Sequence, residues 1–386
     1  MGMIFFLLLP ILGLAYCGWH LWTLIPLPRL WRAVLLCLGV GAFLLLFLNL
    51  SRFIDRLPLW LARLCYDVGN SSLFVMLYLV IIFLMLDLGR LVRLVPGTWL
   101  HHNFYTTVVL IVGLFAVFLL GNVNYRHKVR EELQLTTTKP LSHPLRLVML
   151  SDLHLGYHNP RHELARWIDL INAEKPDVVL IAGDIIDMSM RPLLEERMAE
   201  EFHRLEAPVY ACLGNHEYFS GGPRAFQFYH DAGIHLLRDS CALVGHASER
   251  GIFPVRLQGA DCHAGKRDLL IIGRDDRMNP QRKTLKDIMS KAGTAPTSHF
   301  TILLDHQPYH LEEAEQAGID FQLSGHTHRG QVWPISWITD RVYECSFGSW
   351  QRGKTRYYIS SGIGIWGGKF RIGTQSEYIV ADINPQ

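Results

Sequence analysis

The chain has 386 residues, of which 49% are hydrophobic and 19% are charged, and its formal net charge is +2. Only ten of its 72 Asp, Glu, Lys and Arg residues fall within residues 1–120, where they sum to +4, whereas the other 266 residues sum to −2. This division excludes a single soluble domain, and the slightly acidic second part excludes a strongly basic nucleic-acid-binding module.

Four stretches without Asp, Glu, Lys or Arg open the chain, and each is long enough for a transmembrane helix. Crossing a bilayer core takes about 20 mostly apolar residues in a helix. The densest apolar part of the third stretch covers only residues 73–86, so this stretch could instead form a buried or re-entrant helix. The first lacks a basic leader, so we expect it to be retained rather than cleaved. The sequence thus predicts a four-helix transmembrane segment over 1–125, with spans within 1–28, 33–51, 68–86 and 94–125.

Basic residues near the ends of these stretches indicate which side of the membrane the rest of the chain occupies. With four spans, six Lys and Arg residues flank the spans on the side that holds both termini, against four on the other side. By the positive-inside rule this distribution favours a cytoplasmic second part. The alternative is an exported domain, in which Cys241 and Cys262 could pair.

The second part of the chain has the pattern of an α/β domain. A polar connector over 126–143 precedes it, and from 144 to 386 short apolar runs alternate with amphipathic stretches. Such alternation predicts sheets packed between helices. We expect a helix over 163–173 and strands over 145–150, 178–181, 209–213, 269–272, 301–304, 321–323, 356–360 and 376–383.

Side chains that bind metals follow five of the predicted strands. The carboxyl ends of strands in an open α/β sheet form the crevice in which ligands bind, so these side chains are expected to converge. Carboxylate, amide and imidazole groups suit a pair of divalent transition-metal ions. Two such ions can clamp a phosphoryl group and lower the pKa of a water molecule. The residues are Asp152, His154, Asp184, Asn215, His306, His326 and His328, and His216 directly follows Asn215.

Each of these residues has a simpler explanation when it is taken alone. Asp152 could cap a helix or a turn, and Asp184 could end its strand in an Asx turn. Most of the 19 histidines, His158 among them, are expected to be surface or core residues. The recurrence of metal-binding side chains at successive strand ends favours one metal centre.

The same segments resemble the five ordered motifs of calcineurin-like metallophosphoesterases, and in particular their bacterial membrane-associated phosphodiesterase branch. The resemblance implies an α/β domain of two mixed β-sheets sandwiched between helices, and an integral protein of the bacterial inner (cell) membrane. It covers residues 145–383. The motifs are Ser151-Asp152-Leu153-His154, Gly183-Asp184-Ile185-Ile186-Asp187, Gly214-Asn215-His216-Glu217, His306 and Gly325-His326-Thr327-His328.

The resemblance also implies a role for each residue. Asp184, as an anion with two oxygens, would bridge two ions. His216 would face the substrate, as suits a group that titrates near neutral pH, and Asp187 would orient it. The alternative for Asp187 is an N-cap of a helix over 188–205, and Glu217 is expected to support its loop. One ion would be held by Asp152, His154, Asp184 and His328, and the other by Asp184, Asn215, His306 and His326.

Two arginines lie near these motifs. Arg329 stands where the related branch commonly has Gly. It could contact phosphate with two parallel hydrogen bonds, or it could face solvent. Arg371, near the end of the chain, is interpreted as structural.

The sequence therefore predicts a membrane-anchored, metal-dependent phosphoesterase, either a phosphodiesterase or a pyrophosphatase. Its expected cofactors are two divalent ions, such as Mn, Fe or Zn, whose identity the ligand types do not decide. Its expected partners are the lipid bilayer and a phosphoester that is either lipid-linked or soluble, with no nucleic acid. The alternatives are a periplasm-facing phosphodiesterase acting on envelope components, a non-catalytic binding module with the same fold, and a transporter.

Overall fold

The structure is a computed structural model that describes residues 2–141, 143–246, 252–256, 267–291 and 298–386. The chain folds into two compact units. The first comprises residues 1–123 and 367–370, and the second comprises 124–366 and 371–386. Cys262, the suggested partner of Cys241, lies outside the described residues.

The first unit is built from long apolar helices. Among the residues that the structure describes, three of them are long and apolar enough to cross a membrane: α2 (Arg29–Leu50), α3 (Leu59–Leu91) and α4 (Phe104–Arg126). The first stretch is also helical, but the predicted count of four spans is not confirmed. Many Leu, Val and Phe side chains of these helices are exposed, as expected for surfaces that lipid covers. The helices are α1 (Gly2–Leu24), α2 (Arg29–Leu50), α3 (Leu59–Leu91) and α4 (Phe104–Arg126).

The second unit contains thirteen described strands in two mixed sheets, as the sequence predicted. Most predicted strands are observed within one or two residues at each end. The strands are β1 (Lys128–Thr137), β2 (Leu145–Leu150), β3 (Val178–Ala182), β4 (Val209–Cys212), β5 (His235–Leu236), β6 (Ser240–His246), β7 (Ile252–Arg256), β8 (Arg267–Gly273), β9 (Phe300–Leu304), β10 (Phe321–Ser324), β11 (Gly348–Arg352), β12 (Thr355–Ile359) and β13 (Ser376–Pro385).

The two sheets have six and seven strands. The first has the order β1-β13-β2-β3-β4-β5 and the second the order β11-β12-β10-β9-β8-β6-β7. In the first, β2, β3 and β4 are parallel, while β13 is antiparallel to β2. In the second, β8, β9, β10 and β12 are parallel. The strands that precede the predicted metal-binding residues are therefore parallel within each sheet.

Short helices connect the strands. They are α5 (Arg161–Ala173), α6 (Arg191–Glu195), α7 (Ala199–Phe202), α8 (Asn215–Ser220), α9 (Pro223–Asp231), α10 (Leu285–Lys291), α11 (Glu312–Gln316) and α12 (Ile335–Val342). Six of them, α5, α6, α7, α9, α10 and α11, pack on the sheets.

Strand β2 shows how the layers are held together. Because side chains alternate along a strand, Leu147 and Met149 enter the core between the two sheets. Val148 and Leu150 enter a separate core shared with α5, whose Trp167 is buried there. A third core lies between the second sheet and helices α10 and α11. A strand that is buried on both faces has a nearly continuous run of apolar residues, and this run is why β2 could be predicted from the sequence.

The segment predicted as a connector contains an edge strand instead. Strand β1 pairs in parallel with β13 along its whole length, from Lys128 opposite Ser376 to Thr137 opposite Pro385. Its polar residues alternate with Val129, Leu133 and Leu135 because one face of this edge strand meets solvent. A polar alternating segment of this kind resembles a linker in composition, so the sequence does not indicate a strand here.

Candidate metal centre

The predicted metal-binding side chains converge at the carboxyl ends of strands from both sheets. Asp152 and His154 follow β2, Asp184 follows β3, and Asn215 and His216 begin α8 directly after β4. The second sheet contributes His306 after β9, and His326 with His328 after β10. All of these residues except Asn215 fall into three groups whose ligand atoms lie within 4.8 Å of one another. The groups are Asp152–His154–His328, His154–Asp184–His216 and Asp184–His306–His326.

Imidazole and carboxylate groups face one another across this centre. His306 Nδ1 donates to the carbonyl oxygen of Ala182 at 2.7 Å, which leaves Nε2 turned towards the centre. His306 Nε2 is 3.2 Å from a carboxylate oxygen of Asp184, and although burial opposes the charged form, Asp184 raises the pKa of His306 well above its ordinary value. The Oδ1 atom of Asn215 is buried without a hydrogen-bond partner. A divalent cation would take the place of the proton between His306 and Asp184 and would satisfy Asn215 Oδ1, so these side chains fit bound cations.

A pair of histidines occupies the other side of the centre. The Nε2 atoms of His154 and His328 lie 3.0 Å apart. A carboxylate oxygen of Asp152 is 3.4 Å from His328 Nε2, and one of Asp184 is 3.6 Å from His154 Nε2. The carboxylate of Asp184 therefore faces histidines of both sides, as a bridging ligand would.

The electrostatics of the centre keep its carboxylates ionised. Burial raises the pKa of Asp184, but His306 and His216 outweigh it and hold that pKa well below its ordinary value. Burial lowers the pKa of His326 to about 4, and His306 contributes to this shift. Burial also opposes the charged form of His154, but Asp152 and Asp187 raise its pKa to about 10. At neutral pH His154 therefore carries a proton that its carboxylate neighbours stabilise, and a divalent cation would displace that proton on binding.

Backbone strain is concentrated at the same residues. The φ angles of Asp152, His154, Asp184, His326 and His328 are 54°, 45°, 52°, 70° and 49°. Non-glycine residues rarely adopt this left-handed region, and such strained positions cost about 1–3 kcal/mol each. Because five such residues lie at one centre, the rest of the fold must offset the cost of their strained backbone and so holds these side chains in fixed positions.

Two motif glycines let the carboxylates sit where they do. A Cβ atom on Gly214 would lie 2.1 Å from Asp184 Oδ1, and one on Gly325 would lie 2.3 Å from Asp152 Oδ2. Neither position can carry a side chain, so glycine precedes Asn215 and His326 for a steric reason.

Comparison with known proteins agrees with this geometry. Residues 145–330 match the profile of the calcineurin-like phosphoesterases. An uncharacterized metallophosphoesterase of Campylobacter jejuni is 30% identical over 277 residues, which are 70% of this chain and 68% of that protein. The chain belongs to the calcineurin-like metallophosphoesterase family.

Two further proteins extend the comparison. A transmembrane protein with a metallophosphoesterase domain from Danio rerio is 29% identical over 376 residues, covering 94% of this chain and 82% of that protein. A crystal structure of a calcineurin-like phosphoesterase from Bacillus subtilis is 13% identical, with a TM-score of 0.38 over 62% of this chain and 90% of that one. Family membership makes the chain a metal-dependent phosphoric ester hydrolase.

Asp187 of this phosphoesterase contacts two histidines of the centre. One carboxylate oxygen, Oδ1, lies 3.2 Å from His216 Nδ1 and 3.3 Å from His154 Nδ1. Burial raises the pKa of Asp187, but hydrogen bonds to these histidines hold it well below its ordinary value. The alternative as an N-cap is wrong, because α6 begins only at Arg191, with Met190 at its N-cap position. His158 is a buried residue whose Nδ1 is 3.9 Å from the other oxygen of Asp187.

Glu217 of the phosphoesterase holds together the loops that carry Asp184 and Asn215. Its carboxylate accepts hydrogen bonds from the backbone N–H groups of Gly214 at 2.8 Å, Ile186 at 3.0 Å and Asp184 at 3.2 Å. This contact agrees with the expected supporting role. It also explains the Glu in the motif, since a buried carboxylate is needed to satisfy three backbone donors at once.

The two arginines have different surroundings. The guanidinium of Arg329 stacks on the ring of Phe347, 4.5 Å from its centroid. Arg371 is only 1% exposed and donates to the carbonyl oxygens of His328 and Gly364. Its proximity to His328 was missed in the sequence because 43 residues separate the two, and no periodicity connects them.

Asn159 was also missed. Its side-chain nitrogen donates to the carbonyl oxygens of Leu153, His154 and Ile365, and its oxygen accepts from the hydroxyl of Tyr125. It lies five residues after His154, and a buried Asn so close to a predicted ligand is a signal that could have identified it.

Proposed function

We propose that the chain is a membrane-anchored phosphoesterase that uses two divalent ions to hydrolyse a phosphodiester or pyrophosphate bond of a lipid-linked substrate. The observation that carries this proposal is the convergence of buried carboxylate and imidazole groups at the strand ends, above all His306 Nε2 and Asp184 Oδ2 at 3.2 Å. Family membership supports the chemistry, and the apolar helices support the membrane location.

In this proposal the carboxylate of Asp184 would be a ligand of both ions. Two bound ions would polarise a phosphoryl oxygen and lower the pKa of a water molecule to near neutrality. The other residues would hold the ions in place, and the fold keeps bulk water from the carboxylates, since Asp152 and Asp184 are almost fully buried. One ion is assigned to Asp152, His154, Asp184 and His328, and the other to Asp184, Asn215, His306 and His326.

His216 is proposed as the general acid that protonates the leaving oxygen. Its ring is partly exposed, whereas the rings of His154 and His306 are buried. Because Asp187 lies at its Nδ1, the Nε2 atom of His216 is the one left to exchange a proton with the substrate. Asp187 is a positioning residue, and Arg329 is proposed to reach the phosphate by leaving the ring of Phe347.

The proposed location is the inner (cell) membrane of a bacterium, with the catalytic unit in the cytoplasm. The six-to-four distribution of Lys and Arg around the predicted spans supports this orientation. A reporter fused after Gln386 tests it directly. Activity of a cytoplasmic reporter is expected, whereas activity of a reporter that works only outside the cytoplasm would place the enzyme on the periplasmic side.

The experiment that tests the activity uses the full chain in detergent, loaded separately with Mn, Fe, Zn or Mg. Each form is assayed with an aryl phosphodiester, with phospholipids and with pyrophosphate-linked lipids. We expect hydrolysis of the lipid substrates that His216→Ala reduces by about 100-fold or more. A protein that binds two ions and hydrolyses none of these substrates would instead be a binding module.

A further inference from the structure

Residues 333–342 expose an unusual number of large apolar side chains. Trp333 is 37% exposed, Trp337 63%, Ile338 61% and Val342 58%. Among the described residues after position 123, nine large apolar side chains are exposed, and four of them lie in this ten-residue segment. Exposed apolar side chains that cluster in this way mark an interaction surface.

Helix α12 places three of these side chains on one face. Trp337 and Arg341 are one turn apart, as are Ile338 and Val342, so the four residues form a continuous stripe. The ring of Trp333 packs edge-on against that of Trp337, with centroids 5.4 Å apart. Trp, aliphatic and Arg side chains on one short amphipathic helix are typical of the interface between lipid headgroups and acyl chains.

Both ends of α12 are attached to the metal centre. Before the helix, Gly330, two residues after His328, packs so closely that a Cβ atom there would lie 2.5 Å from the backbone nitrogen of Ser336. After the helix, the ring of Tyr343 lies 6.4 Å from the ring of His326. The hydroxyl of Thr327 donates to the carbonyl oxygen of Ser346 at 2.6 Å. The helix and the loop of His326 and His328 therefore form one connected piece of structure.

We propose that α12, together with Trp333, inserts into the headgroup region of a lipid bilayer and brings the metal centre to the phosphoester groups of membrane lipids. The inference rests on the proposed function for its lipid substrate. A bilayer is the favoured occupant because the same chain carries three helices able to span one. The exposed cation Arg341 on the apolar face matches anionic headgroups.

The first test measures insertion without any assay of activity. A fluorescent amino acid replaces Ile338 in the full chain, which is reconstituted in nanodiscs that contain brominated lipids. The matched control carries the same fluorophore at the exposed Lys354, between β11 and β12. At least threefold stronger quenching is expected at position 338 than at 354. Equal quenching at both positions would overturn the proposal, and so would unquenched fluorescence at 338 with concentration-dependent cross-linking, since that result indicates a second copy on this face.

The second test separates membrane contact from chemistry. The double variant Trp337→Glu, Ile338→Glu is compared with Gln351→Glu, Lys354→Glu, with melting temperatures as the control for folding. The first variant is expected to raise KM for a phospholipid in nanodiscs about tenfold and to leave kcat/KM for a soluble aryl phosphodiester unchanged. An unchanged KM for the lipid contradicts the role of α12. If the unmodified protein hydrolyses neither substrate, the proposed function fails, and the quenching at 338 still decides whether the helix inserts.

Discussion

The guanidinium of Arg371 donates a 2.8 Å hydrogen bond to the carbonyl oxygen of His328. A second nitrogen of the same group donates to the carbonyl oxygen of Gly364 at 3.0 Å. The amide of Gly364 in turn donates to the carbonyl oxygen of Asp152, also at 3.0 Å. Arg371 therefore connects the backbones of two residues assigned to the same ion.

The first prediction concerns this connection. Burial lowers the pKa of Arg371 to about 10, so a buried cation is retained here at some cost in free energy. We expect Arg371→Met to weaken binding of Mn²⁺ about 10- to 100-fold, as is usual when the support of a ligand is removed. Arg371→Lys should recover little, because an ammonium cannot bond several carbonyl oxygens in fixed directions.

Titration followed by electron paramagnetic resonance measures the affinity for Mn²⁺. The control is Arg352→Met, which makes the same substitution at an arginine that forms ion pairs with Glu315 and Glu344 on the surface. A lower melting temperature with unchanged affinity for Mn²⁺ would show that Arg371 is purely structural.

The second prediction separates metal binding from proton transfer. Asp184→Ala removes the carboxylate that faces both His306 and His154. We expect this variant to lose bound metal and activity together. His216→Ala is expected to keep its metal and to lose about 100-fold or more in kcat. Metal content is measured by mass spectrometry after gel filtration, and equal metal loss in both variants would contradict the division of roles.

The third prediction concerns Asp187, whose Oδ1 atom lies near both His216 and His154. Replacing it with Asn removes the negative charge and presents an amide N–H or a weaker acceptor to the two Nδ1 atoms. We expect Asp187→Asn to lower kcat about 100-fold, with a smaller effect on KM, because His216 loses its orientation. Asp169→Asn, at an exposed carboxylate, is the control. A rise in KM with unchanged kcat would argue against a positioning role.

The fourth prediction concerns Glu217. Its removal leaves the backbone donors of Gly214, Ile186 and Asp184 buried without an acceptor. Each buried unsatisfied donor costs about 1–3 kcal/mol, so Glu217→Ala should lower the free energy of unfolding by at least about 3 kcal/mol. Glu217→Gln should lower it less, since one oxygen acceptor remains. Chemical denaturation of the metal-free protein measures both variants, and equal stabilities for Ala and Gln would exclude this account.

The fifth prediction is that chelation destabilises the second unit. Bound cations would neutralise Asp152 and Asp184, the two carboxylates that are buried in the centre. At a free ion concentration of about 100 times Kd, binding contributes about 2.7 kcal/mol. For a unit of this size that corresponds to a fall of about 5–10 °C in melting temperature after treatment with a chelator. Added Mn²⁺ should restore it, and identical melting curves would be inconsistent with resident ions.

Local sequence patterns predicted the parts of the fold that depend on neighbouring residues. Strand β2 was recognised over 145–150 because its buried faces leave six mostly apolar residues in a row. The metal-binding residues were recognised because they follow such strands directly. Strand β1 and the role of Arg371 depend on partners that are distant in sequence, Ser376–Pro385 and His328. No local pattern encodes such a pairing.

The sequence does not indicate the apolar stripe on α12, and the reason is different. Its eight residues contain Ser336, Thr339 and Asp340 as well as Trp337 and Ile338, so the composition is ordinary. Whether an apolar side chain enters the core or meets solvent is decided by the packing of its neighbours. That information exists only in the folded chain.

The pairing of β1 with β13 has a consequence for biosynthesis. Lys128 lies opposite Ser376, so a further 248 residues must be translated after Lys128 before its partner is complete. At about 5–20 residues per second, strand β1 waits about 12–50 s for its partner after it leaves the ribosome. During that time β1 is an unpaired strand that directly follows the apolar helix α4. Its four charged residues, Lys128, Arg130, Glu131 and Glu132, are suited to keep the unpaired strand from joining other chains.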